Sequence, residues 1–238
     1  MIMRKILRSS LLLATMSLSA IAAHGKEIKE IAFDFFATGG GSTLVNATYF
    51  LSADELYHSR FAVGDKFMVG FEVPVNKLLS TEIAYTQGAN NLIVTAIDLS
   101  PRQTLVYPVH NHMTSLDALA RSPIALFGCR PYAVAGVEYG RFEPTYQAKY
   151  VALTQGFGAT KDVTITGNDK MGLNIGIGLD RKIFRRVSFR LDLRDYVTSS
   201  PAFGLPHRSP NGAIFPVSGR ANNLEYTAGF VIHIGKKK

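Results

Sequence analysis

Met171-Gly172-Leu173-Asn174-Ile175-Gly176-Ile177-Gly178-Leu179-Asp180 decides the fold. Every odd position is large and apolar, while every even one is Gly, Asn or Asp. This two-residue period belongs to a β-strand with two unlike faces, whereas a helix would scatter the same residues around its circumference. The next segment, Val187 to Arg194, repeats it with Ser188, Arg190, Asp192 and Arg194 on the polar side. So does the last, where Leu224, Tyr226, Ala228, Phe230, Ile232 and Ile234 oppose Glu225, Thr227, Gly229 and His233.

Upstream, Lys66 to Val75 alternates equally well, and Leu79 to Tyr85 follows after a turn at Asn76-Lys77. Glu30 to Thr38 supplies a first strand, with Ile31, Phe33 and Phe35 opposite Asp34. Tyr132 to Phe142 supplies a fifth, with Gly136, Glu138 and Gly140 on its polar side. His110 to Arg121 alternates less cleanly: with both histidines inward, Asp117 points outward. Eight strands result, most of them about nine to twelve residues long, a length suited to crossing a bilayer.

Long connections of about twenty residues alternate with short ones along this series. The long ones carry Gly39-Gly40-Gly41-Ser42, Asn90-Asn91, Ser199-Ser200-Pro201 and Ser209-Pro210-Asn211-Gly212, residues that break regular structure. An antiparallel meander with long links at one end and tight ones at the other is what a transmembrane β-barrel requires, since only closure satisfies every backbone group in lipid. The predicted fold is therefore all-β: an eight-stranded antiparallel up-and-down transmembrane β-barrel with long extracellular loops and short periplasmic turns.

Composition agrees. The chain has 238 residues, 47% hydrophobic, with one Cys, so disorder and a disulfide scaffold are excluded. Residues 1–22 read as a signal peptide: Arg4, Lys5 and Arg8 precede an apolar run, and Ala20-Ile21-Ala22 offers the small residues of a cleavage site. Residues 23–238 form the barrel domain. Cleavage near Ala22 removes three of the 26 cations, leaving 23 against 18 acids, or +5 in place of +8. No later run is long and apolar enough for a spanning helix. Export and the lack of a Lys/Arg run interleaved with aromatics argue against a nucleic-acid role.

Arg130-Pro131-Tyr132 through Gly136-Val137, the glycine-alternating strand, Arg190 to Tyr196, and Asn223-Leu224-Glu225 through Ile234 together resemble the OmpA-like eight-stranded outer-membrane barrels. The likeness covers roughly residues 130–234. It implies a Gram-negative outer-membrane protein of the cell envelope. The partners it implies are outer-membrane lipid and lipopolysaccharide, the barrel assembly machinery acting through the last strand, and an extracellular ligand of the loops. Gly229, Ile232 and Ile234 fit the spacing of the family's assembly signal, with Ile where an aromatic is usual, and Gly235 to Lys238 overhang.

If the apolar parity faces lipid, the other parity fills a narrow interior: Asp34, Glu72, Glu82, Glu138, Arg190, Asp192, Arg194 and Glu225 become a polar network plugging the lumen. Such charges are tolerable only when paired. Gly172, Gly176 and Gly178 then make room beside Arg190 and Arg194. Tyr57, Tyr85, Tyr107, Tyr132, Tyr139, Phe142, Tyr196 and Tyr226 fall mostly near predicted strand ends, where rings suit the headgroup level. Ordinary packing accounts for them as well.

No cofactor or metal is expected, because His110 and His112 offer only half a metal site. The leading function is a structural or surface-contact role without chemistry. One alternative is a lipid A deacylase-like enzyme using His207, Ser209 and Glu225 as a nucleophile set, although Pro210 interrupts the motif. The other is a soluble periplasmic ligand-binding barrel. Parity alone does not separate it, since barrels facing lipid and barrels facing water write the same alternation.

Overall fold

The computed structural model describes residues 32–45, 48–52, 55–99, 101–156, 162–205 and 220–235. Its strands are β1 (Phe33–Val45), β2 (Thr48–Ser52), β3 (Glu55–Phe61), β4 (Gly64–Pro74), β5 (Leu79–Ala96), β6 (Gln103–Arg121), β7 (Cys129–Pro144), β8 (Asn168–Phe184), β9 (Val187–Ser199) and β10 (Arg220–Ile234), with one helix, α1 (Tyr146–Gln155). Every pairing is antiparallel. The ring runs β1-β4-β5-β6-β7-β8-β9-β10 and closes where Phe33 to Val45 of β1 pair with Ile234 to Asn222 of β10. The chain is a closed eight-stranded up-and-down barrel.

The two extra strands lengthen the wall beyond the ring. β2 pairs with β3, and β3 takes over from β4 as the partner of upper β5, with Tyr57 opposite Ala96. Between β3 and β4 the register against β5 slips by one residue at Ala62-Val63, where Ala62 N–H donates to Asn91 O. A one-residue slip turns each side chain to the opposite face. Even positions are buried on β4, whereas the odd Tyr57, Ser59 and Phe61 are buried on β3.

Several strands outrun the lengths read from the sequence, β5 reaching 18 residues and β6 19. Gly39 to Ser42 and Asn90-Asn91 lie within strands rather than loops. A Cβ on Gly41 would sit 2.4 Å from the Tyr226 hydroxyl, so the bare backbone lets that ring lie across the wall. Asn90 finds its partners along the inner wall, at Ser42 of β1 and Asn111 of the adjoining β6, and is held in the ladder by them. The connection between β5 and β6 shrinks accordingly to residues 97–102.

The register of β6 reverses the reading that put His110 and His112 inward. Asn111, Met113, Ser115 and Asp117 are buried, and the histidines face out. Asp117 decides this, because a carboxylate beside Arg194 is far better placed than one set among the apolar side chains of the outer face. The aromatic expectation also needs correction. Tyr57, Tyr107, Tyr132, Phe142 and Tyr196 are all buried within the barrel, while Tyr139 and Tyr226 stand exposed on the outer face.

Interior chemistry changes along the axis. From the short-turn end up to about Asn90 the inward residues are mostly polar or charged. Above that level Leu44, Tyr57, Phe61, Leu92, Val94, Ala96, Tyr107, Val109 and Phe142 form an apolar core. Helix α1 closes this core from the long-loop end. The Thr145 hydroxyl caps the helix by accepting from Ala148 N–H at 3.2 Å, and Ala148 and Ala152, one turn apart, are buried against the cluster.

Candidate functional site: the ionic interior

All eight residues of the expected polar network are buried: Asp34, Glu72, Glu82, Glu138, Arg190, Asp192, Arg194 and Glu225. Strand parity delivers them to one space from six strands of the ring.

Arg190 is the hub of the lower tier. Its Nη2 meets Glu72 at 2.8 Å, its Nη1 meets Glu82 at 2.9 Å and its Nε meets Asp180 at 2.9 Å. The guanidinium lies between the rings of Phe36 and Tyr132, with centroids 5.0 and 5.1 Å away. Planar stacking and a forked donor set are properties Arg has and Lys lacks. A Cβ on Gly178 would strike the Tyr132 ring and one on Gly176 would press on Arg194, so those glycines open space for the groups that fill it.

Glu82 carries the network upward, since its other oxygen forms an ion pair with Arg194 Nη2 at 2.7 Å. Arg194 also reaches Asp117 at 3.0 Å and Asp192 at 3.1 Å, and Asn174 and Ser115 each donate to Asp117 at 2.7 Å. A separate middle tier holds Lys66, paired with Glu225 at 2.7 Å and bonded to Asn111 at 2.8 Å. Asn223 donates to Glu225 at 2.6 Å. Glu138, though buried, has no hydrogen-bond partner for either oxygen among the described residues.

Four members escaped the sequence reading. Lys66 and Asp180 share the polar parity of their strands and were visible by that signal. Arg121 closes β6 and holds Glu72 at 2.6 Å, but its strand's register was set the wrong way, which also hid Asp117.

The other candidates fare differently. His207 and Ser209 lie outside the described residues, and Glu225 is engaged by Lys66 and Asn223. His112 faces outward and hydrogen-bonds the Tyr85 hydroxyl at 2.7 Å. No group of three or more potential metal-ligating side chains occurs among the described residues. At the short-turn mouth, Asp34 is bonded to His233 at 2.8 Å, and His233 in turn to Ser188 at 2.7 Å.

The outer face is the converse of the interior. On β8 the outward row is Met171, Leu173, Ile175, Ile177 and Leu179, bounded by Asp169 above and Arg181 below. Neighbouring strands end their apolar rows at the same level: Gln87, His112, Arg141 and Asp169 are consecutive partners across four strands. Toward the short-turn end, Phe33 and Phe35 pack on Phe71, with centroids 6.3 and 5.3 Å apart, and Phe189 meets Phe230 edge-on at 5.9 Å.

No protein-family model matches the sequence, and no curated protein matches it either. Among solved structures, the chain is similar to the outer membrane protein OprG of Pseudomonas aeruginosa, with 14% identity, a TM-score of 0.55, and coverage of 87% of this chain and 98% of that one. Neisserial surface protein A follows with 12% identity, 84% and 97% coverage and a TM-score of 0.47. The N-terminal β-barrel domain of Pseudomonas aeruginosa OprF gives 17% identity, 85% and 97% coverage and 0.41. The likeness to OprG establishes the fold, that of the small eight-stranded outer-membrane barrels.

Proposed function

We propose that this protein is an integral barrel of a bacterial outer membrane, exported by a signal peptide spanning residues 1–22, with a sealed lumen and a structural or surface-contact role. The observation that carries the reading is the inversion of burial: Phe71, Leu191 and Phe230 are 53%, 44% and 54% exposed, while Arg190 and Glu72 are fully buried. A soluble barrel would pay for that arrangement on both faces, exposing hydrocarbon and dehydrating charge. The outward run from Met171 to Leu179 matches the nine to eleven tilted residues that a strand needs to cross a bilayer. Polar rows above it and phenylalanines below it suit the two headgroup levels.

In this reading the short turns are periplasmic and the long loops extracellular. Lipid and lipopolysaccharide surround the belt, and the assembly machinery engages β10 with Ile in its aromatic-preferring positions. The ionic tiers below and the apolar core with α1 above support a lumen closed to solutes, leaving the loops to meet an external ligand. Membrane fractionation combined with gel mobility tests it. The expected result is a protein in the outer-membrane fraction whose unheated form migrates differently from the boiled one. Recovery in the periplasm without detergent would overturn it.

A further inference from the structure

One set of interior groups stands apart from the tiers around Arg190, Arg194 and Lys66. Asp34 on β1, His233 on β10 and Ser188 on β9 occupy three neighbouring strands at the short-turn mouth and face inward. Asp34 Oδ1 lies 2.8 Å from His233 Nδ1, and His233 Nε2 lies 2.7 Å from Ser188 Oγ. A carboxylate only accepts, so Nδ1 carries the proton it shares with Asp34. In the neutral ring Nε2 then holds a lone pair, aimed at the Ser188 hydroxyl. Satisfying a buried carboxylate explains the first contact. It does not require a hydroxyl 2.7 Å from the far nitrogen, which in the neutral ring stands in the relation of a nucleophile to its general base.

The supporting backbone is fixed. His233 N–H donates to Arg186 O at 2.8 Å, and Ser188 is paired with Val231 on one side and Lys182 on the other. Directly beside that pair the β8–β9 ladder shifts register between Lys182 and Phe184, a bulge of the kind that re-aims side chains. Arg181, Lys182, Arg185 and Arg186 cluster around this turn, and none has an ion pair with the described residues. The His233 side chain is 21% exposed and Ser188 is 5% exposed, so the pair borders the mouth.

We propose that Ser188, His233 and Asp34 form a serine-nucleophile site at the periplasmic mouth that hydrolyses slender carboxylic esters bearing a negative charge. Ser188 Oγ bonds to the ester carbonyl carbon and passes its proton to His233 Nε2. The carbon–oxygen bond to the alcohol breaks, and the departing oxygen takes that proton. Water then attacks the acyl carbon, gives a proton to Nε2 and displaces Ser188, which recovers its own. The products are one acid and one alcohol, and water is the sole co-reactant. Asp34 holds the imidazole in the required tautomer. Lys182, which pairs with Ser188 in the ladder, supplies the cation for the oxyanion, and the cationic turn selects the charged ester.

The full chain, folded in detergent micelles and checked by heat-dependent mobility, is treated with a fluorophosphonate probe and mapped by mass spectrometry. The expected adduct is on Ser188, absent in Ser188→Ala and formed about a hundredfold or more slowly in Asp34→Asn, whose isosteric amide presents the wrong tautomer. Hydrolysis of 4-nitrophenyl hemisuccinate should exceed that of 4-nitrophenyl acetate, and Lys182→Ala should erase the preference. A folded barrel that takes no label at Ser188 overturns the proposal, as does ester hydrolysis that survives Ser188→Ala. If Asp34→Asn does not fold, His233→Gln serves in its place, and labelling at the wild-type rate in either folded variant refutes the role of the base.

Discussion

Arg190 Nη2 and Glu72 Oε2 stand 2.8 Å apart in the centre of the barrel although 118 residues separate them along the chain. They meet because β9 and β4 lie across the interior from each other and both turn their even positions inward. Removing the guanidinium leaves Glu72, Glu82 and Asp180 each without one partner, the two glutamates in a space water does not reach. Arg190→Ala should therefore destabilise the barrel by about 3–5 kcal/mol, read as a lower urea midpoint for unfolding in micelles. Arg190→Lys keeps the charge but cannot fork between three carboxylates or stack between Phe36 and Tyr132, and should recover only part of that loss.

The outer face makes a depth-dependent prediction. Ile175 sits midway along the apolar row of β8, 60% exposed, so Ile175→Arg should cost about 2–4 kcal/mol of folding into lipid vesicles. Gln87→Arg, at the polar row that bounds the belt, should cost about 0–1 kcal/mol. Equal effects at the two positions would contradict the assigned belt.

Gly178 is set against the Tyr132 ring, where a Cβ would fall 2.2 Å from Cζ. Gly178→Val should displace the ring from Arg190 and lower stability by about 1–3 kcal/mol, the usual range for overpacking. Pairing it with Tyr132→Ala, which empties the ring's space, should relieve that part of the clash while the Leu191 carbonyl still crowds the new side chain, and a double-mutant cycle reads the coupling.

Helix α1 depends on Thr145. Thr145→Ala leaves the Ala148 N–H without its acceptor, a loss of about 1 kcal/mol. Because α1 packs in the upper apolar core, the effect should be confined there. Faster amide exchange around Ala148 and Ala152 with unchanged exchange in β8 is the expected pattern.

The ring was legible because alternation survives wherever one face is exposed and apolar and the other lines a charged interior. Met171 to Leu179 and Val187 to Arg194 carry that contrast in every pair of residues. It fades where the environment changes. Above Asn90 the inward side chains of β5 become Leu92, Val94 and Ala96, so the parity that had marked charge now marks hydrocarbon. Tyr107 and Phe142 share that upper interior, and for that reason they resemble interfacial aromatics without being any. On β3 the slip at Ala62-Val63 exchanges odd for even, and no residue type there announces it. The Asp34–His233–Ser188 set was hidden for another reason: its members are distant in sequence and become neighbours only when β1 closes on β10.

The two-storey interior has a mechanical consequence. From Gln87, at the edge of the belt, β5 continues to Ala96, about nine steps of roughly 3.3 Å along a tilted strand. That stretch is braced by its own greasy core, so the β5–β6 tip is carried on a stiff post rather than a tether. On the membrane reading proposed above, a molecule docking at this end would meet a preformed wall at a set stand-off from the bilayer, and would lose correspondingly little entropy on contact.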